Sequence, residues 1–218
     1  IDHHLHPPVD GYAVQFSDTH ACSTSYIVYQ LLEALAGTDA IDQAMAESLY
    51  VGIMTDTGNF SFSSLTSDLF RAVAVLIDKG VNVPYVNSSV YNNFSEGRMR
   101  LLGYMLNDKM VTDYEFGVAY VSLTEEEMRR FDFIQGDSEG FVNYPLSIRG
   151  IRMSAMFIQT KHSIRVSLRS RGEVDVNVFA RRYFDGGGHR NAAGGKSYVP
   201  MNETLENFRK YLREYFGA

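Results

Sequence analysis

The sequence has few of the features that characterise secreted or membrane-bound proteins. It contains a single cysteine, Cys22, which excludes an intrachain disulfide and favours a reducing, cytoplasmic setting. No apolar run approaches the roughly 20 residues that span a bilayer. No signal peptide opens the chain, so we expect neither secretion nor a membrane partner.

Basic residues are fewer than acidic ones. The 20 Lys and Arg stand against 26 Asp and Glu, and the net charge of −6 disfavours binding to long duplex DNA. The charge is unevenly spread, since residues 145–196 carry +7 and the rest of the chain carries −13. Such a basic segment favours a small anionic ligand or a short strand, and a solvated basic face is the alternative.

Apolar residues make up 45% of the 218 residues, enough for a buried core in one large or two small domains. Helical periodicity predicts helices over 23–35, after an N-cap at Asp42, and after an N-cap at Thr66. The apolar stripe of the third helix is predicted to be Leu69, Phe70, Val73, Leu76 and Ile77.

The pattern changes to strands near residue 112. We predict the following elements: strands over 117–123, 151–158 and 164–169, helices over 175–184 and 204–216 (the last capped by Thr204), and a loop over 186–195. The change predicts two α/β domains. Their bounds are 1–94 and 112–218, and 95–111 form a connecting helix.

Two motifs in the first half carry side chains that suit divalent metals. In D-H-H at 2–4, adjacent side chains of an extended backbone point in different directions. One histidine can therefore bind a metal while the other meets a phosphate, and Asp2 can orient an imidazole. In T-D-T-G at 55–58, Asp56 can bridge two metals through its carboxylate oxygens. The alternative for D-H-H is a His-rich surface loop or a tag remnant, and the alternative for Asp56 is a solvated helix cap.

The glycine-rich segment at 186–195 suits an anionic ligand. Consecutive glycines can turn backbone N–H groups toward a phosphate. His189 and Arg190 add charged donors, and Asn191 can reach a base or a sugar. Arg165, Ser167 and Arg169 share one strand face, and a basic row of this kind can line a nucleotide groove. A flexible linker and an exposed sheet face are the alternatives.

In this order and spacing, D-H-H, T-D-T-G-N-F and G-G-G-H-R-N-A-A-G resemble the motifs of the DHH phosphoesterase superfamily, which includes RecJ-like exonucleases. The nearest group is the bacterial nanoRNase/pAp-phosphatase group. The resemblance covers the whole chain. It implies an α/β fold made of the C-terminal part of a DHH phosphoesterase domain, with a parallel sheet and helices, and a smaller α/β DHH-associated domain.

The resemblance also implies roles for individual residues. His3 and Asp56 resemble ligands of two divalent ions, preferably Mn²⁺ with Mg²⁺ as the alternative, although which histidine binds metal stays open. His4 resembles the histidine that faces the scissile phosphate, and Asp2 its orienting neighbour. The implied substrate-binding residues are Arg169, Ser170, Gly186, Gly187, Gly188, His189, Arg190 and Asn191.

Two motifs that supply most of the family's metal ligands, a His-x-x-x-Asp-x-Asp-like run and a separate Asp, are missing upstream of D-H-H. Because the chain begins at Ile1 beside this motif, we expect a truncated polypeptide that is inactive by itself. The intact protein is expected to hydrolyse short oligoribonucleotides or 3′,5′-bisphosphorylated adenosine, and a homodimer is an open alternative to a monomer. The rival interpretations are a cyclic-dinucleotide phosphodiesterase, a single-strand DNA exonuclease and a non-catalytic nucleotide-binding fragment.

Overall fold

The computed structural model describes residues 1–4, 10–62 and 65–217. The chain divides into two compact units, Ile1–Asn93 and Phe94–Ala218. Each unit is described by itself. The α/β fold class predicted from the sequence is confirmed, since helices are combined with a six-stranded sheet.

Helices make up most of the described part of the first unit. They are α1 (Thr24–Ala36), α2 (Gln43–Asp56), α3 (Ser67–Asp78) and α4 (Val83–Tyr91), with a short 3-10 helix at Thr38–Ala40. Each α-helix begins after a residue whose side chain accepts a hydrogen bond from a backbone N–H of the first turn: Ser23, Asp42, Thr66 and Asn82. The caps predicted at Asp42 and Thr66 are therefore confirmed.

The core of the first unit lies between α1, α2 and α3. Its fully buried side chains include Ile53, Met54, Leu69 and Leu76. The predicted stripe of α3 is wrong at two positions, because Phe70 and Ile77 are 49% and 44% exposed. Both lie at the edge of the apolar face, where a periodic pattern does not distinguish core from rim.

Within the described residues, the second unit contains the six strands of one mixed sheet. The strands are β1 (Val111–Asp113), β2 (Val118–Leu123), β3 (Met153–Gln159), β4 (Ile164–Ser170), β5 (Gly187–His189) and β6 (Ala192–Ser197). Their order is β1-β2-β3-β4-β6-β5, and only β2 and β3 run parallel.

Helices cover both faces of this sheet, and their ranges are α5 (Glu96–Tyr104), α6 (Glu125–Arg129), α7 (Val176–Tyr183) and α8 (Met201–Phe216). On one face, Phe157 and Leu168 pack with Phe179 of α7 and Phe208 of α8. On the other face, strand residues such as Met156 pack with α5, α6 and a 3-10 segment at Phe141–Ser147. The sheet is thus the middle layer of the unit.

Residues 95–111 pack with the second unit. Leu101, Leu102 and Met105, from α5 and the π-helical turn Met105–Lys109 that follows it, belong to the same core cluster as Val121 and Met156 of the sheet. The assignment of this segment as a connecting helix between two domains stays a prediction. Within the described ranges, no helix combines the length and apolar character needed to cross a bilayer.

The glycine-rich segment 186–195 is a β-hairpin, which corrects the predicted loop. Strands β5 and β6 pair antiparallel, and β6 also pairs with β4. Alanine and glycine have low strand propensity, so the sequence pattern does not indicate a strand here. A Cβ added at Gly186 would lie 2.0 Å from the carbonyl oxygen of Gly194, so only glycine permits this close backbone approach.

The closing helix begins earlier than predicted, and Thr204 is not its cap. Helix α8 starts at Met201 after Pro200, which makes no side-chain capping bond. Thr204 is fully buried, and its hydroxyl bonds to Ser197 Oγ at 2.7 Å and to the carbonyl of Val199 at 3.2 Å. The hydroxyl therefore links the first turn of α8 to the end of β6.

The three consecutive glycines should differ in their tolerance of a side chain. A Cβ at Gly186 or Gly188 would approach backbone atoms at 2.0 Å and 2.5 Å, whereas at Gly187 it would meet only side-chain atoms at 3.5 Å or more. Gly186→Ala and Gly188→Ala should each destabilise the second unit by about 1–3 kcal/mol, and Gly187→Ala should change stability little. Urea unfolding of the three variants measures this. Equal losses at all three positions would contradict it.

Candidate functional site

The predicted site residues fall into two groups, one in each unit. The first unit contains Asp2, His3, His4 and Asp56. The second unit contains the eight predicted substrate-binding residues: Arg169, Ser170, Gly186, Gly187, Gly188, His189, Arg190 and Asn191.

The D-H-H motif is held by backbone pairing with a later segment. Asp2 donates its N–H to Phe16 and accepts from the N–H of Asp18, at 3.0 Å and 3.1 Å, and forms a parallel bridge with Ser17. The two imidazoles of the motif lie edge to face, with ring centroids 4.6 Å apart and an interplanar angle of 62°. The two rings are thus in edge-to-face contact, and their separate roles stay a prediction.

Asp2 and His4 form a hydrogen-bonded pair. His4 Nδ1 lies 2.7 Å from Asp2 Oδ1, and the backbone N–H of His4 donates to the same oxygen at 3.1 Å. The side-chain hydrogen bond to His4 and then the backbone one lower the pKa of the Asp2 carboxyl. An ionised carboxylate accepts hydrogen bonds only, so Nδ1 of His4 carries the proton that it donates to Asp2. This contact fixes the ring orientation and makes Nε2 the proton-accepting nitrogen of the neutral ring.

His3 lies close to Asp56, some fifty residues later in the chain. His3 Nε2 is 3.5 Å from Asp56 Oδ2, and the side chains are 11% and 46% exposed. The other ring nitrogen, Nδ1, is 3.3 Å from the carbonyl oxygen of Ala21. A carbonyl at Nδ1 leaves Nε2 as the natural ligand atom, directed toward the carboxylate.

Asp56 occupies the last position of α2, at the start of a left-handed turn. Gly58, Asn59 and Phe60 all have positive φ, from 56° to 59°. Positive φ is uncommon for non-glycine residues, above all for a bulky one such as Phe60. The buried hydroxyl of Thr57 stabilises the turn, since it donates to the carbonyl of Ile53 at 2.7 Å and accepts from the N–H of Phe60 at 3.1 Å. The turn therefore fixes the helix end that carries Asp56.

An imidazole nitrogen and a carboxylate oxygen 3.5 Å apart are donors of the kind that bind Mn²⁺. His3 and Asp56 thus fit as part of the divalent-metal site that the motifs imply. They supply two ligands, which are too few to hold two ions.

In the second unit, Ser170 and Asn191 join the end of β4 to the hairpin. Ser170 is 7% exposed and donates to the carbonyl of Val174 at 2.7 Å, while Asn191 Nδ2 donates to Ser170 Oγ at 2.9 Å. The backbone N–H of Ser170 donates to the carbonyl of Asn191 at 3.0 Å. These hydrogen bonds hold the turn between β5 and β6 against the end of β4.

Other predicted residues lie along the hairpin. Arg190, at its tip, forms an exposed ion pair with Glu173 at 2.5 Å. His189 ends β5 and pairs in register with Ala192. The backbone N–H of Gly188 donates to Asn177 Oδ1 at 2.9 Å, and Arg181 Nε donates to the same oxygen at 3.1 Å. Asn177 was not predicted, because a polar residue in the first turn of a helix gives no distinctive sequence signal.

Arg169 is partly buried on one face of the sheet. Its Nη1 donates to the carbonyl of Leu168 at 2.9 Å, and no carboxylate in the described ranges lies within ion-pair distance. Burial lowers the pKa of the Arg169 guanidinium, and the charge of Glu139 opposes the shift. A partly desolvated cation without an ion pair gains from binding an anion.

The face around Arg169 is partly covered, which the sequence did not indicate. Arg98, 8% exposed, donates to the carbonyls of Asp137 and Glu139, the second at 2.8 Å, and its guanidinium lies 4.0 Å from the centre of the Phe94 ring. Arg165 Nη2 donates to Ser138 Oγ at 2.9 Å. The two arginines hold the segment 137–139 beside the sheet, so the basic row on β4 is not simply a solvated face.

Comparison with known proteins agrees with the fold. Residues 114–218 match the model of the DHHA1 domain family. The crystal structure of an exopolyphosphatase-related protein from Bacteroides fragilis superposes with a TM-score of 0.92 at 40% identity, covering 99% of this chain and 63% of that one. The similarities confirm the predicted relationship to the DHH phosphoesterase family.

One relative is the bifunctional oligoribonuclease and PAP phosphatase NrnA of Bacillus subtilis. It is 32% identical over 203 residues, which are 91% of this chain and 62% of NrnA. The cyclic-di-AMP phosphodiesterase GdpP of the same organism is 28% identical over 225 residues, which are 99% of this chain and 32% of GdpP. The chain therefore spans less than two thirds of the length of NrnA.

Proposed function

We propose that the chain forms part of a metal-dependent phosphoesterase that hydrolyses short oligoribonucleotides or 3′,5′-bisphosphorylated adenosine to nucleoside monophosphates. The observation that carries the proposal is the pair of contacts in the first unit, His3 with Asp56 at 3.5 Å and His4 with Asp2 at 2.7 Å. A pair suited to metal binding thus lies beside a pair suited to proton transfer. The similarity to NrnA supports this choice of substrate class.

Each residue of the first unit has a distinct task in this proposal. His3 and Asp56 hold divalent metal, Mn²⁺ or Mg²⁺, together with further ligands. Such ions activate water and neutralise phosphate charge when they are bound. Asp2 keeps the His4 ring oriented, and His4 Nε2 holds or releases a proton near the scissile phosphate.

The second unit holds the nucleotide. Arg169 binds a phosphate through its partly desolvated guanidinium. The packing of the fold does not require a glycine at position 187, so we assign the absence of a side chain there to the approach of the ligand. His189 adds a donor, since it lies in the same row across β5, β6 and β4 as Arg169. The hydrogen bond between Asn191 and Ser170 keeps the hairpin in register with β4. The proposed localisation is cytoplasmic.

Mn²⁺ binding tests the role of Asp56. Asp56→Asn should weaken Mn²⁺ binding at least tenfold, since even the partners of metal ligands contribute about 10–100-fold. Asp78→Asn is a matched control, because Asp78 is an exposed carboxylate that also ends its helix, α3. Mn²⁺ titration followed by electron paramagnetic resonance measures both. Equal Mn²⁺ affinity in the two variants would remove Asp56 from the site.

Nucleotide affinity tests the role of Arg169. A hydrogen bond to a charged group contributes about 1.5–3 kcal/mol, so Arg169→Ala should weaken 5′-AMP binding by roughly one to two decades. Lys196→Ala is the control. Lys196 is an exposed cation of β6 in register with Arg165, which lies near the opposite end of β4 from Arg169. Calorimetric titration of the 218-residue chain gives the affinities. Similar losses in both variants would indicate only a general attraction to basic charge.

A cyclic-dinucleotide phosphodiesterase is the second candidate, and the similarity to GdpP over 99% of the chain favours it. Competition against labelled 5′-AMP separates the candidates. We expect the linear dinucleotide pApA to compete better than cyclic di-AMP or a long single strand, because a linear dinucleotide has a terminal phosphate for Arg169. Stronger competition by cyclic di-AMP would favour the second candidate, and stronger competition by the long strand an exonuclease.

A further inference from the structure

One row of the sheet in the second unit contains a hydroxyl group that the proposed function does not use. Ser154 of β3 lies directly opposite Arg169 of β4, and Arg169 lies opposite Ala192 of β6. Directly opposed residues of antiparallel strands point to the same face with Cβ atoms roughly 4.5–5.5 Å apart. Ser154 and Arg169 therefore occupy neighbouring positions on one face of the sheet.

The Ser154 side chain is completely buried, and its Oγ has no hydrogen-bond partner in the described ranges. Leaving a hydroxyl buried and unsatisfied costs about 1–3 kcal/mol, and most buried polar groups are paired. Met156 and Ile158, the other residues of β3 on this face, are apolar and buried. The polar position on this face of β3 therefore coincides with the row of Arg169.

Arg169 has hydrogen-bonding capacity to spare. A guanidinium carries five N–H donors, and within the described part of the chain the one side-chain hydrogen bond of Arg169 goes to the carbonyl of its neighbour Leu168. When a phosphate occupies two N–H groups of a guanidinium, an acceptor beside the remaining N–H groups can hold its orientation. Ser154 Oγ is a neutral acceptor in the same row of the sheet as Arg169.

We propose that Ser154 is a positioning residue for Arg169: its Oγ accepts an N–H of the guanidinium when a nucleotide phosphate engages the other N–H groups. The inference rests on the proposed function, because it takes Arg169 as the phosphate-binding residue. A neutral hydroxyl orients the guanidinium without neutralising it, whereas a carboxylate in this position would compete with the phosphate.

The test is a double-mutant cycle on 5′-AMP affinity, combined with thermal unfolding of the 218-residue chain. Ser154→Ala should weaken 5′-AMP binding roughly five- to tenfold, the equivalent of one ordinary hydrogen bond. The unfolding temperature should stay equal or rise, because the substitution removes an unsatisfied buried hydroxyl. In the Arg169→Ala background the same substitution should leave affinity unchanged.

Ser122→Ala serves as the matched control. Ser122 lies on the neighbouring strand β2 and pairs with Phe157, which faces the opposite side of the sheet. This variant should bind 5′-AMP as the unmodified chain does.

Three results would overturn the inference. Unchanged affinity in Ser154→Ala, with a loss in Arg169→Ala, would leave the proposed function intact and limit Ser154 to the fold. An equal loss in both Arg169 backgrounds would mean that the hydroxyl acts independently of Arg169. A loss of affinity with a lower unfolding temperature would indicate structural damage. Normal affinity in Arg169→Ala would instead refute the proposed phosphate contact itself.

Discussion

The second unit depends on the close approach of backbone segments around the hairpin β5–β6. Gly186 lies against Gly194, Gly188 against Ala192, and Gly195 against the carbonyl of Phe184, each at distances that exclude a Cβ. Because these contacts need no side chains, β6 can pair with β4 while the hairpin packs beside α7. This arrangement sets the row that contains Ser154, Arg169, Ala192 and His189. The glycines therefore determine which residues of the three strands lie side by side.

A comparable constraint acts at the end of α2 in the first unit. Three residues with positive φ follow this helix, and Thr57 holds their backbone through two hydrogen bonds. Strained backbone persists only when the surrounding structure determines it. Here the Phe60 ring packs between Tyr50 and Phe70, with centroids 5.9 Å and 5.8 Å away. The packing of one aromatic ring therefore helps to fix the carboxylate of Asp56.

The buried Arg98 and the partly buried Arg169 differ in how their charge is compensated. Arg98 satisfies backbone carbonyls of the segment 137–139 and lies between the rings of Phe94 and Phe141, so its charge is compensated by dipoles and π-faces. Arg169 receives little such compensation. One arginine is thus committed to the fold while the other retains donors for a ligand, a difference that their sequence contexts do not show.

The sequence by itself determined the family motifs, the α/β class, the caps at Asp42 and Thr66 and the alternation of β4, because these features depend on local spacing. It did not reveal the hairpin, the start of α8 or the exposure of Phe70 and Ile77. Only the tertiary structure decided that His3 meets Asp56, that Asn177 accepts from Gly188 and that Ser154 opposes Arg169. The physical reason is that these contacts join residues brought together by strand register and helix packing, whereas local patterns specify only which face of an element is apolar.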